Sequence, residues 1–322
     1  MNRRSMLLAT VLASTFAAVP AHAADAINFG IISTESAANL KQSWDPLLAD
    51  MEKETGLKVT AFFAPDYAGV IEGMRFNKVQ VAWFGNKSAM EAVDRAEGEV
   101  FAKTVDPNGE EGYYSLLVVR KDSPLKSLDD VLANKSELTL GYGDPNSTSG
   151  TLVPGYYAFA QNNVDPTKDF KRMVRTNHQG NLLAVAAKQV DVVTNNTDNW
   201  TRFEQSNPEK LAELRQIWKS PLIPSDPLVW RKDLDPKIQA KIKAFVLSYG
   251  DDEREKAILG KIGFSGFKPS DDTQLITVRE LTLVKDKLKV ESDDKLSAEE
   301  KAAKLKELDR KLGELRQKLA AR

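Results

Sequence analysis

The sequence predicts an α/β protein of two lobes with a charged helical extension at its C-terminal end. Three observations carry that expectation. A strand–loop–helix–strand unit occurs twice, the chain of 322 residues is long enough for two separate cores, and from Gln274 onward the pattern turns to highly charged helix.

The N-terminal end comes first. Arg3 and Arg4 precede the apolar run Met6 to Val19, and Ala21-His22-Ala23 follows, which is the pattern of a cleavable secretory signal cut after Ala23. The apolar run is too short for a membrane span, and nothing later approaches one. The paired arginines partly match a twin-arginine signal, with Sec export as the default route. Cleavage would remove two of the 45 basic residues and none of the 46 acidic ones, moving the formal net charge from −1 to −3. It would also leave His178 as the only histidine. A periplasmic, near-neutral chain without a basic tract is a poor nucleic-acid partner. There is no cysteine, which excludes thiol catalysis and Cys-zinc sites, and one histidine makes a His-based metal site a poor fit. The sequence thus implies no cofactor and no metal.

The first unit has a strand over Lys58–Phe63, a loop Ala64-Pro65-Asp66-Tyr67, a helix over 68–76, and a strand over Val79–Trp83. The second has a strand over Phe170–Val174, a loop from Arg175 to Gln179, a helix reaching Ala187, and a strand from Val190 to Val193 ending at Asn195-Asn196. Such units build parallel sheets, whose ligand crevice lies at the strand C-termini. The expected division is residues 24–119 for the first part of lobe one, 120–220 for lobe two, 221–273 for a return to lobe one, and 274–322 for the C-terminal helices. Crossings near Val119 and Pro221 would form a hinge.

Between the units lies Gly143-Asp144-Pro145-Asn146-Ser147-Thr148-Ser149-Gly150, after the β-prone Leu138–Tyr142 and before the apolar helical face of Leu152, Tyr156 and Phe159. Free N–H groups at a helix start and three neighbouring hydroxyls suit an anion. Without Gly-Lys-Ser/Thr the loop is not a nucleotide P-loop, and an ordinary capped helix start explains the same residue types. In the C-terminal segment Ser297 and Glu300 form a capping box. Leu305, Leu308, Leu312, Leu315 and Leu319 make one apolar stripe, which either packs back on lobe one or pairs with a second copy of the chain.

Other loops bring candidates toward the same cleft: Tyr67, Tyr113, His178, Asp198 and Asp226. Each has a plainer explanation, as a packing tyrosine, a surface histidine, a helix cap or a turn aspartate. Together they are more selective. The hydroxyl loop holds no Lys or Arg, and Arg175 is the only cation near His178 in sequence, so an anion would be held by neutral donors and helix dipoles. Two carboxylates in that cleft would repel a lone anion, whereas tyrosines beside carboxylates form a cage for an ammonium group. The combination suits a zwitterion. A serine hydrolase built on Ser147 or Ser149, His178 and Asp198 is the rival of a different class, but no Gly-x-Ser-x-Gly elbow is present.

Long segments carry a family resemblance: Asn28–Ser36, Phe62–Gly69, Met74–Val79, Gly143–Gly150 with Leu152–Tyr157, and Trp218–Ile223. They closely resemble the periplasmic phosphonate-binding proteins of phosphonate ABC transporters, from about Ile27 to Ile276. The resemblance implies a type II periplasmic binding protein fold, two lobes closing like a flytrap, and a binding protein rather than an enzyme. It implies a small-molecule phosphonate ligand, with 2-aminoethylphosphonate favoured, and delivery to a membrane permease and its ATPase. The same fold tuned to phosphite, phosphate or a sulfonate is the nearer rival. Ser147, Thr148 and Ser149 would bind the phosphonate oxygens, helped by His178 and Tyr67. Tyr67, Tyr113, Asp198 and Asp226 would surround the amine. One position departs, since the family pattern has Glu where this chain has Asp198. One methylene fewer draws the carboxylate back by about 1.5 Å, so the amine contact becomes longer or water-mediated, or the pocket takes a bulkier amine.

Overall fold

The computed structural model describes residues 25–320, with side chains as far as Gln317; the predicted signal segment and Leu319 of the stripe lie outside what it describes. Lobe one opens with β1 (Ala26–Ile31), α1 (Ala37–Thr55), β2 (Lys58–Phe63), α2 (Tyr67–Arg75), β3 (Val81–Trp83), α3 (Asn86–Arg95) and β4 (Gly98–Val105). The chain crosses through β5 (Gly112–Tyr113). Lobe two follows as β6 (Ser115–Arg120), α4 (Leu128–Asn134), β7 (Thr139–Tyr142), β8 (Arg172–Arg175), α5 (His178–Ala186), β9 (Val192–Asn196), α6 (Thr197–Ser206), α7 (Pro208–Leu211) and β10 (Leu214–Lys219). It crosses back through β11 (Ile223–Pro224) and completes lobe one with β12 (Pro227–Arg231), α8 (Pro236–Ser248), α9 (Glu253–Ile262) and β13 (Gly266–Pro269). Last come α10 (Ile276–Glu291) and α11 (Ala298–Ala320).

The two lobes share one plan. Their sheets run β13-β4-β12-β3-β1-β2 and β10-β6-β9-β7-β8. In each, the two strands of a repeated unit pair in parallel with a strand between them, β2 and β3 with β1, β8 and β9 with β7. The loops after β1 and β7 are therefore structural counterparts, and both open into the cleft. Neither sheet is wholly parallel as expected: β12, β4 and β13 in one, and β6 and β10 in the other, join antiparallel.

The expected crossing near Val119 is corrected. Ser115–Val119 is a run buried along its length and pairs with β9 inside the lobe-two sheet. The crossing lies earlier, at β5, which pairs antiparallel with β11. An apolar run bounded by turns reads the same for either sheet, so its assignment needs the pairing partner. The two crossings are thus hydrogen-bonded to each other, a narrow two-stranded waist between the lobes.

Local chemistry starts and stops the helices. Ser36 caps α1 by accepting from Asn39 N–H, and Gly56, at φ 68°, ends it in the left-handed region. The core of lobe one gathers on Trp44, whose ring centroid lies 5.7 Å from that of Phe29 and 5.2 Å from that of Trp83. In the C-terminal hairpin α11 packs on α10, burying Leu312 and Leu315 while Leu305 and Leu308 stay half-buried. The capping box forms, with Glu300 N–H donating to Ser297 Oγ at 3.2 Å and Ser297 N–H to Glu300 Oε2 at 2.8 Å. Arg279 anchors α10 to α3 through both oxygens of Asp94. Leu281 meanwhile packs with Tyr113, Val153 and Ile223, against the waist and lobe two.

Trp44 is 2% exposed, so Trp44→Ala leaves a large cavity. Urea unfolding is expected to show a loss of about 3–5 kcal/mol; a loss under about 1 kcal/mol, the range of surface substitutions, would mean that this cluster is not the core.

Candidate functional site

The loop after β7 closes on itself because glycines stand at its two ends. Gly143 N–H donates to Gly150 O at 3.0 Å, and a Cβ on Gly143 would lie 2.6 Å from Gly150 Cα, closer than any side chain tolerates. Ser147 is the N-cap of a π-helical turn over Thr148–Leu152, accepting from Gly150 N–H at 2.9 Å. The helix thus starts inside the hydroxyl cluster rather than after it. Arg175, the only cation near His178 in sequence, donates to Gly143 O at 2.7 Å and lies over the Tyr142 ring. It braces the back of the loop.

Each hydroxyl of the cluster already accepts one bond from a fixed protein donor. Ser147 Oγ accepts from Gly150 N–H, Thr148 Oγ1 from Lys87 N–H at 2.8 Å, and Ser149 Oγ from Asn196 Nδ2 at 2.9 Å. A hydroxyl that accepts has its own O–H left to donate. All three residues are 2% exposed and line one small pocket. Lys87 stands in the first turn of α3, capped by Gly85 with no side-chain bond, so a lobe-one helix start also points here. His178, expected in a loop, is the first residue of α5. Its Nε2 lies 3.3 Å from both Ser147 Oγ and Asn196 Nδ2. The Ser147 hydroxyl and the Asn196 amide thus both face Nε2, while Nδ1 has no protein partner. Burial, then the charge of Arg202, hold this imidazole neutral, with its pKa down to about 3.

The facing wall is acidic and aromatic. Asp226, between β11 and β12, lies with Tyr113, Trp83, Tyr67 and Asp198 around the same pocket. Burial, and secondly the Asp198 charge, push the Asp226 carboxyl up to about 8; the Tyr113 hydroxyl and Trp83 indole oppose the rise. Burial lifts Asp198 to about 6 against the pull of Arg202. The Tyr67 and Tyr113 phenols are raised, first by burial and then by neighbouring aspartates, and stay neutral. Among the described residues seven buried side-chain atoms lack a partner, and four of them belong to pocket-lining residues: Thr34 Oγ1, Trp83 Nε1, His178 Nδ1 and Asp226 Oδ1. Orphaned polar atoms gathered in one place mark a site built for a polar ligand.

All eight candidates of the sequence line this pocket. Sequence reasoning missed Thr34, Glu35, Trp83, Asn196 and Arg202. The cation of the pocket is Arg202, on α6 one turn beyond Asp198, where the sequence showed only a polar helix face. Its partner Glu35 stands in the loop after β1. The match of that loop to the loop after β7 was the available signal, and it needs the strand order to be read. A serine triad does not form: the His178 Nδ1 that would need an orienting carboxylate has none. Among the described residues no group of three or more His, Cys, Asp or Glu is placed to hold a metal, and no helix is long and apolar enough to cross a membrane.

Comparison with known proteins shows the family and the fold. The model of the family described as ABC transporter, phosphonate, periplasmic substrate-binding protein matches residues 29–275. The phosphonates-binding periplasmic protein of Escherichia coli K12 is 56% identical over 299 residues, covering 92% of this chain and 88% of that protein. The crystal structure of a binding protein component of an ABC phosphonate transporter from Pseudomonas aeruginosa is likewise 56% identical. It superposes with a TM-score of 0.91 over 93% of this chain and 99% of that one. A Prochlorococcus marinus protein solved with methylphosphonate shares the fold, with a TM-score of 0.72 at 21% identity, over 81% of this chain and 99% of that one.

The Asp198 charge is the second cause of the raised Asp226 pKa. Asp198→Asn removes a like charge and is therefore expected to lower the Asp226 pKa. Carboxyl carbon NMR of the ligand-free protein checks it; an Asp226 titration unmoved by the substitution would contradict the shared-pocket electrostatics.

Proposed function

This chain belongs to the periplasmic phosphonate-binding proteins of ABC transporters, a family of substrate-binding proteins rather than enzymes, and we propose that it captures aminoalkyl phosphonates, with 2-aminoethylphosphonate as its preferred ligand. One observation carries the finer reading: three hydroxyls and two buried carboxyls, whose pKa values burial raises, line the same small pocket. A phosphonate supplies oxygens for Ser147, Thr148 and Ser149, with His178 and Tyr67 as further donors. An ammonium supplies the positive charge that Asp198 and Asp226 need in order to ionise in a dry site. Tyr67 and Tyr113 would flank it with their ring faces. A ligand with the anion alone leaves the acidic wall uncompensated, which disfavours phosphite, phosphate and sulfonates.

The lobes are proposed to close over the ligand by bending at the waist formed by the short strands β5 and β11. Helix starts from both lobes, those of α3, α5 and α6, then face the bound molecule together. The closed form would be presented to a membrane permease and its ATPase in the periplasm, reached through the predicted signal cleaved after Ala23.

Calorimetric titration with 2-aminoethylphosphonate, methylphosphonate, phosphite, phosphate and an alkanesulfonate tests the reading. Tightest binding is expected for the aminophosphonate; tighter binding of a ligand without an amine would contradict the acidic wall's role. Asp226→Ala is expected to weaken 2-aminoethylphosphonate by about tenfold or more relative to methylphosphonate, the scale of one charge-assisted bond; equal losses would count against that role. Asp198→Glu restores the longer side chain and is expected to tighten 2-aminoethylphosphonate. Weaker binding in the same titration would instead show a pocket fitted to a bulkier amine.

A further inference from the structure

The loop after β1, residues 33–36, is the lobe-one counterpart of the hydroxyl loop, and it is strapped to the other lobe. Gln179 N–H donates to Thr34 O at 3.2 Å, and Ser36 N–H donates to Gln179 Oε1 at 3.2 Å. Between these bonds Arg202 Nε donates to Glu35 Oε1 at 2.9 Å, joining residues 167 apart in sequence. Arg202 Nη1 reaches a second lobe-one atom, Ile262 O, at 3.4 Å. The arginine side chain is 9% exposed and the glutamate 12%. Arg279–Asp94, which also ties distant segments, keeps side chains 26% and 49% exposed. The Glu35–Arg202 pair is thus far drier, and it forms only where the lobes meet.

Arg202 also lines the pocket beside Asp198 and Asp226. That neighbourhood holds two pocket carboxyls, one guanidinium and Glu35. A guanidinium without Glu35 would pair with the pocket carboxylates and take the place meant for a ligand's ammonium. It would also add a positive charge favouring a bare anion. A buried ion pair contributes little net stability, but losing one partner strands the other charge in a dry site. The physical effect of this pair is to fix which charges remain open to the ligand and at what lobe separation.

We propose that Glu35 and Arg202 form a cross-cleft latch that makes the closed pocket selective for a ligand carrying an ammonium group. Glu35 is the specificity-determining partner, because it withdraws the guanidinium from the acidic wall. Arg202 is the positioning partner, because it carries the lobe-one loop onto α6. This inference rests on reading the pocket as a phosphonate site.

A double-mutant cycle of Glu35→Gln, Arg202→Met and both together tests the latch, titrated with 2-aminoethylphosphonate and with methylphosphonate. Glu35→Gln is expected to lower the preference for the aminophosphonate about tenfold, as one added charge in a poorly screened site would. Arg202→Met is expected to weaken both ligands by stranding Glu35, the double variant to recover most of that loss, and Arg202→Lys to stay near the wild type. Equal shifts for both ligands in Glu35→Gln, or additive losses in the double variant, would overturn the latch. If the wild type binds neither ligand, the phosphonate reading fails instead. The cycle is then read from small-angle scattering: a population of closed molecules lost in Arg202→Met and regained in the double variant supports the latch, and an unchanged profile refutes it.

Discussion

A carboxylate taken out of water must be neutralised, and this cleft takes two of them out together. Asp226 and Asp198 share a wall in which burial raises both carboxyls and the first is raised further by the second. Among the described residues no lysine lines their pocket, and the one guanidinium that does is tied to Glu35. The wall therefore carries an unmet demand for positive charge that protonation meets when nothing else does. On the proposed reading a ligand's ammonium answers that demand, which makes the amine end the source of selectivity and the phosphonate end the source of class.

The opposite wall meets the complementary demand with donors of low charge. Three hydroxyl oxygens accept from Gly150, Lys87 and Asn196, so each is held in place with an O–H able to turn toward an anion. His178 is held neutral and offers a single N–H. Donors of this kind bind an oxyanion without the desolvation cost of a buried lysine or arginine. They also leave the net charge of the closed pocket to be set by the aspartates. The waist and the loop after β1 decide whether the two walls meet at all. Arrangement across the cleft is thus as much part of recognition as the residues that touch the ligand.

Much of this was legible in the sequence, for physical reasons that can be named. Period-two runs such as Lys58–Phe63 and the capping pair Ser297–Glu300 are local signals, and they appear as read. The hydroxyl loop was legible because Gly143 and Gly150 bracket it and a helix start needs donors satisfied. Ser115–Val119 was assigned to the wrong sheet because an apolar run carries no label of its partner. Arg202 and Glu35 were illegible for a related reason: residues 167 apart meet only through the order of strands and the closure of the lobes. Arg175, the only cation close to His178 in sequence, turns its side chain behind the loop to the carbonyl of Gly143, so neutral donors are left to face the pocket there.

Proton release on binding tests the central claim most directly. In the closed pocket the acidic wall ionises when it faces an ammonium and holds its protons when it faces a ligand without one, so the two kinds of ligand leave different numbers of protons on the protein. The sign follows from raised carboxyl pKa values, near 8 for Asp226 and near 6 for Asp198 in the empty closed pocket, which the cation lowers. Calorimetry at pH 7 in buffers of different ionisation enthalpy counts those protons. With the phosphonate's own ionisation at that pH allowed for in each case, about one more proton is expected to leave the protein with 2-aminoethylphosphonate than with ethylphosphonate, which lacks the amine. Equal release by the two ligands would contradict it.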